Sequence, residues 1–287
     1  MFRPALIWLL AGAFWANLPV SACAQVSEVE EPSPLTSEES PLGHSWLDHY
    51  KAEFWDDVTR MKHDFRHMYM GRNLCYLGLT VAATYPIANT HADQGIRDWY
   101  QHHVKQPGYQ DWTDVGNKIG EWQFTIPVYL GAWAAGSLFD ERPAVSVVGQ
   151  WGERTMRGLA VGAPASGLLQ IGLGAGRPEE GRSHWRPFQD TNSVAGHGFV
   201  GAVPFLTAAS MTENRPLKAA LFAGSFYTTW ARLDDDAHYF SQCVLGWTIA
   251  YLATRSVNMT EWEMQRVQFT PIAMPQGGAG LGVLIRY

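Results

Sequence analysis

The chain has 287 residues, 46% of them hydrophobic, and a formal charge of −6. So much apolar material can bury a substantial core, which excludes disorder for most of the length. The mild acidity and the absence of any Lys/Arg run exclude a nucleic-acid surface and leave small molecules or lipids as the expected partners.

The first 24 residues read as an export signal. Arg3 supplies the positive start, Ala5 to Trp15 the apolar run, and Ala22-Cys23-Ala24 a small-residue cleavage site before Gln25. Val20-Ser21-Ala22-Cys23 also fits a lipoprotein processing box, which would leave Cys23 acylated. Both readings put the protein in the periplasm or cell envelope. Residues 25–43 are rich in Pro, Ser and Glu and too polar to bury anything, so a disordered acidic linker is expected there. Cys75 and Cys243 lie in apolar segments and are expected as small buried hydrophobes, since two cysteines make no disulfide framework.

Leu47, Tyr50, Phe54, Val58, Met61, Phe65 and Met68 recur at three- and four-residue intervals and predict an amphipathic helix over Ser45 to Met70, within a segment 44–71. His63 and His67 stand four apart on it. Lacking a third ligand nearby in sequence, they are expected as exposed polar residues beside Lys62, Asp64 and Arg66, and no metal is expected. Six Gly/Ala-rich apolar segments follow within 72–257: Leu74 to Ala88, Phe124 to Phe139, Leu159 to Leu173, Phe199 to Ser210, Leu217 to Trp230 and Cys243 to Ala253. Most fall short of the roughly 20 residues that cross a bilayer as a straight helix. They suit either buried helices of a compact bundle or modest membrane spans extended by flanking Trp and Tyr. A mean hydropathy of −0.16 favours the first, and the aromatic content keeps the second open. In the tail, 258–287, Val267 and Phe269 alternate, Pro275-Gln276-Gly277-Gly278 marks a turn, and Leu281 to Tyr287 suits a strand, so a small hairpin is expected.

Charge and histidine gather at the ends of the apolar segments in three places. Gly174-Ala175-Gly176 leads to Arg177-Pro178. Asn192-Ser193-Val194-Ala195-Gly196-His197 opens an apolar helix whose free N–H groups and positive dipole end could cradle an anion. Arg232 precedes His238 by six positions, with Asp234, Asp235 and Asp236 between them.

In order and spacing these resemble the type 2 phosphatidic acid phosphatase and vanadium haloperoxidase superfamily. Its pattern is a lysine followed by Arg-Pro, then Pro-Ser-Gly-His, then Ser-Arg with a histidine and an aspartate beyond. Arg177-Pro178, Gly196-His197 and the Arg232/His238 pair match its core, and His238-Tyr239 with Gly246-Trp247 resembles the helix that follows. The resemblance implies an all-α fold, a six-helix bundle preceded by the amphipathic helix, with no cofactor. It implies a phosphatase acting on a phosphomonoester or a lipid phosphate or diphosphate, with membrane association. By the same resemblance His238 would form a phosphohistidine, His197 would serve as acid and base, and Arg177, Arg232 and the Gly196 N–H would hold phosphate. The chain departs from the pattern at Gln170, where lysine is expected as a phosphate ligand, at Val194 and Ala195 for Pro-Ser, at Ala231 for Ser, and at Gln242. The last replaces the aspartate that orients the nucleophilic histidine, and an amide can accept that hydrogen bond only without the charge. These departures imply weakened activity, or a degenerate member that binds phosphate or a phospholipid headgroup without turnover. Haloperoxidase chemistry is disfavoured by the missing lysine and serine. One of Asp234, Asp235 and Asp236 could replace the lost carboxylate. The plainer expectation is a solvated loop or helix start, its acids opposing phosphate unless paired with Arg182, Arg186 or a metal.

Overall fold

The computed structural model describes residues 46–285 apart from 140 and 274–278, with side chains from 55 to 265. The export signal, the linker, Cys23 and the Pro275-Gln276-Gly277-Gly278 turn lie outside the described residues.

The fold is a bundle of α-helices. In chain order they are α1 (Trp46–Tyr69), α2 (Arg72–Ala88), α3 (Ala92–His103), α4 (Gln110–Gly120), α5 (Trp122–Leu138), α6 (Pro143–Leu173), α7 (Gly196–Met211), α8 (Arg215–Gly224), α9 (Tyr227–Asp234) and α10 (Phe240–Arg266). Val267–Ala273 (β1) and Ala279–Ile285 (β2) pair antiparallel. The core sits where α6, α7 and α10 meet, built from Val161, Phe199, Val203, Leu245 and Ile249 among others, with Met68 of α1 and Leu77 of α2 reaching it from the side.

Two helices are longer than their apolar stretches. α6 starts at Pro143, a residue suited to a first helical turn, and carries Glu153, Arg154 and Arg157 inward. The buried Arg157 guanidinium is bidentate to Asp64 of α1 (2.8 and 2.9 Å) and also meets Glu261 of α10 (2.6 Å) and Glu153 (2.9 Å). A buried cation persists only when paired on this scale, so charge here belongs to the helix instead of ending it. α10 likewise continues past residue 257 to Arg266, because Glu261 and Glu263 find partners on α1.

The expected Leu217 to Trp230 helix is broken into α8 and α9. Ser225 Oγ donates to Phe222 O and accepts from Trp247 Nε1 (2.6 and 2.9 Å), a local competitor for the helical ladder held in place from α10.

Two further expectations are corrected. Cys243 is buried but Cys75 is exposed, because α2 turns an apolar face outward, with Leu74, Tyr76, Leu79 and Tyr85 exposed alongside it. His63 and His67 do have a third potential ligand: Glu263, nearly two hundred positions away in sequence, lies against both.

Candidate active site

The loop between α6 and α7 is built to return on itself. Gly174 closes α6 in the left-handed conformation (φ 63°), and a Cβ there would stand 2.0 Å from Arg186 O, so only glycine fits. Arg186 N donates to Gly174 O and Asn192 N to Ala175 O. Ser193 Oγ accepts from Ala175 N at 2.6 Å and donates to Gln170 O. Gln170 Nε2 donates to Val194 O at 3.2 Å. The side chain expected as a phosphate ligand therefore braces the chain just before Gly196.

α7 begins at Gly196 with no side-chain cap, so its first-turn N–H groups have no helical acceptor. Ala195 N donates to Gln242 O of α10 at 3.0 Å. Gly246, one turn on, lets α10 come so close that a Cβ would stand 2.5 Å from Ala195 O. These contacts carry the start of α7, and His197 with it, to the first turn of α10.

His238 precedes that turn. Asp236 takes a positive φ of 56°, which short polar side chains tolerate, and Ala237 N and His238 N both fold back to Arg232 O (3.0 and 3.2 Å). On the other side, Asp93 of α3 accepts from Ser241 N at 3.0 Å and from Ser241 Oγ, capping α10. His238 is thus fixed by both helices it joins, and is only 5% exposed.

Its tautomer follows from Gln242. Gly176 O can only accept, so the Gln242 atom 2.7 Å from it is the amide nitrogen. Tyr239 N–H can only donate, so the atom 3.1 Å from it is the amide oxygen. That same oxygen lies 2.8 Å from His238 Nδ1, which must therefore carry the proton. His238 Nε2 keeps its lone pair.

The arginines are held from separate elements. Arg177 Nε donates to Asn192 Oδ1 at 3.0 Å, and Arg232 Nη1 donates to Asn117 Oδ1 of α4 at 3.0 Å. Arg232 Nε is buried and has no partner among the described residues. An unmet buried guanidinium donor is costly and fits an oxyanion as its missing acceptor.

The electrostatics tie the four groups together. Burial, opposed by the Gln242 hydrogen bond, pushes His238 down to about 4, and the charges of Arg232, Arg177 and His197 add to the depression. His197 is also lowered, by burial and then by Arg232, with Glu121 opposing and Arg177 reinforcing. Burial and the neighbouring cations therefore disfavour protonation of both rings, and the same positive field favours an anion.

The three acids are each paired with a residue other than His238, and only Asp234 is fully buried. Asp234 is buried and accepts from Tyr100 Oη at 3.0 Å. Asp235 accepts from Asn117 Nδ2 at 2.5 Å, and its charge raises Arg232 against the effect of burial. Asp236 is paired bidentately with Arg97 of α3, not with Arg182 or Arg186. They build the loop and steady Arg232.

Sequence reasoning missed Asn117, Glu121, Asn192 and Asp93. Asn117, Glu121 and Asp93 are single polar residues on other elements, with no spacing that announces them, and Asn192 stood in the stretch ahead of α7 without a role.

No family model matches the chain, and neither the curated proteins nor the solved structures contain a match to it.

Proposed function

We propose that this chain is a phosphatase that hydrolyses a phosphomonoester or a lipid phosphate or diphosphate through a phosphohistidine on His238. The observation that carries the reading is the Gln242 clamp, which holds the imidazole of His238 with Nε2 free beside Arg232, Arg177 and His197. The sequence resemblance to the type 2 phosphatidic acid phosphatases supports it, and a helical bundle is consistent with that family.

Phosphoryl transfer asks the protein mainly for position and positive charge. The guanidinium groups of Arg177 and Arg232, with the Gly196 N–H, take the equatorial oxygens. His238 Nε2 attacks phosphorus as the ester P–O bond breaks, and His197, protonated, hands its proton to the departing alkoxide. His197 then takes a proton from water, whose oxygen attacks the phosphohistidine. Inorganic phosphate leaves and His238 regains its lone pair. Glu121 supports this cycle because its charge favours the protonated form of His197.

A lipid-borne substrate is supported by the outer faces of the bundle. α5 exposes Trp122, Phe124, Val128 and Leu138, and α2 exposes Leu79 and Tyr85. Among the described residues one helical stretch, Pro143–Glu180, is long and apolar enough to cross a membrane, although 44% of its most apolar window is buried in the bundle.

One observation favours a second reading, a binder of phosphate or a phospholipid headgroup without turnover. Gln242 brings no negative charge to steady the imidazolium that a phosphohistidine cycle creates. The two readings separate on phosphate release from p-nitrophenyl phosphate and from a diacylglycerol phosphate. Release by the wild type that disappears in His238→Ala establishes the phosphatase. No release from either substrate, with phosphate still protecting the protein against thermal unfolding, establishes the binder.

A further inference from the structure

The polar seam between α1 and α10 ends in a cluster that the proposed chemistry does not use. His63 and His67 stand one turn apart on α1 and share a face. Glu263 of α10 meets them, with its Oε2 3.0 Å from His67 Nε2 and 3.5 Å from His63 Nδ1. One ligand atom from each of the three residues lies within 4.8 Å of the other two. We propose that these side chains form a zinc site that clips the first helix to the last.

The donor set selects the ion. Two neutral imidazoles and one carboxylate, with a water completing the shell, suit four-coordinate zinc, whereas calcium and magnesium take oxygen shells. Tetrahedral ligands about 2.0–2.2 Å from zinc stand roughly 3.3 Å apart. The His67–Glu263 and His63–Glu263 edges are already near that spacing. The remaining edge closes by rotation of His63, whose side chain is 42% exposed and has room to turn. Arg66 and Arg255 line the same hollow and oppose a dication. Arg255 is drawn aside over the Tyr76 ring at 5.5 Å. Affinity in the micromolar range is therefore expected, weaker than at a site free of neighbouring cations.

The position gives the metal something to do. α1 is tied to the body by Asp64 on Arg157, Arg60 on Glu261 (3.2 Å), and Tyr69 Oη on Val161 O (2.7 Å). Zinc at His63, His67 and Glu263 adds a link that exists only when α1 is docked, so zinc stabilises the docked state by mass action.

The test uses the full chain, stripped of metal with a chelator. Zinc titration by calorimetry should give one zinc per chain and a thermal midpoint that climbs with zinc concentration. Cobalt(II) in its place should give the intense visible absorption of a tetrahedral ion. His63→Ala and Glu263→Gln should each weaken zinc binding at least tenfold. The amide introduced by Glu263→Gln can still hydrogen-bond His67, so that variant should match the wild-type midpoint without zinc and lose the zinc response. His238→Ala should bind zinc as the wild type does, which separates this site from the proposed phosphatase centre. The proposal is overturned if stripped wild type binds no zinc and gives no tetrahedral cobalt spectrum, or if the His63 and Glu263 variants bind as tightly as wild type.

Discussion

Replacing Gln242 by Asp returns a charge to the one place where the site most lacks it. In chymotrypsin-like proteases, the opposite change from carboxylate to amide costs about 10⁴ in kcat, largely because it leaves the histidine in the wrong tautomer. That part of the loss does not apply here, since Gly176 O and Tyr239 N already turn the amide oxygen toward His238 Nδ1. What remains is electrostatic. A carboxylate within hydrogen-bond reach raises a histidine by about 1–3 pH units, and each unit corresponds to 1.36 kcal/mol, or about 1.4–4 kcal/mol for the full imidazolium. Only part of that charge has developed at the transition state, so kcat should rise about 10- to 100-fold. Two costs accompany it. KM should increase, because a new negative charge stands beside an anion site. The Gly176 carbonyl also loses its buried donor, at about 1–3 kcal/mol of stability. The assay is phosphate release over a range of substrate concentrations, with thermal unfolding and an NMR titration of His238 run in parallel. A folded Gln242→Asp protein whose His238 titrates higher, yet whose kcat is at or below wild type, would refute the reasoning.

Three other outcomes follow from the same site. Arg232→Lys removes the fork that reaches Asn117 and offers the buried Nε, so kcat/KM for phosphate release should fall about 10²–10³-fold while the fold survives, as checked by circular dichroism. His197 must be protonated to deliver its proton, and burial and the arginines hold it below the ordinary 6.5. The kcat/KM profile should therefore lie on the acid side and already be declining below that value as pH rises, and Glu121→Gln should move the decline to still lower pH. His238 is near 4 in the folded chain against 6.5 when unfolded, so between those values the unfolded chain binds the extra proton. Stability is then highest above about 6.5 and falls as pH drops toward 4, by about 3 kcal/mol from this group. Denaturant unfolding should show that loss in wild type and a smaller one in His238→Asn.

The parts of the site legible in the sequence are those set by local spacing. The six positions from Arg232 to His238, the four from His238 to Gln242, and Gly196-His197 at the head of an apolar run are all short-range patterns, and the first turns of α7 and α10 realise them. Asn192 stood in a stretch already singled out, but its hold on Arg177 depends on how the loop returns on itself. Asn117 and Glu121 were hidden because each arrives from an element far along the chain, and nothing in its neighbours marks it. The same reason hid Glu263 from the histidines of α1. The helices were legible where apolar periodicity ran unbroken. They were underestimated where charge interrupts it, as in α6, because whether Arg157 ends a helix or lies buried depends on Asp64 and Glu261 elsewhere in the sequence. The acids before His238 looked solvated for the complementary reason: Tyr100, Asn117 and Arg97, which take up their charge, sit on α3 and α4.

The central claim is that His238 Nε2 takes the phosphoryl group. The direct measurement is to mix the protein with an excess of diacylglycerol phosphate, quench within the first turnovers in alkali, where phosphohistidine survives, and locate the added phosphate by mass spectrometry. The account predicts a phosphoryl group on His238 in the wild type and none on the protein in His238→Ala. Phosphate released with no phosphorylated protein at any time, or phosphate bound to a residue other than His238, would contradict it.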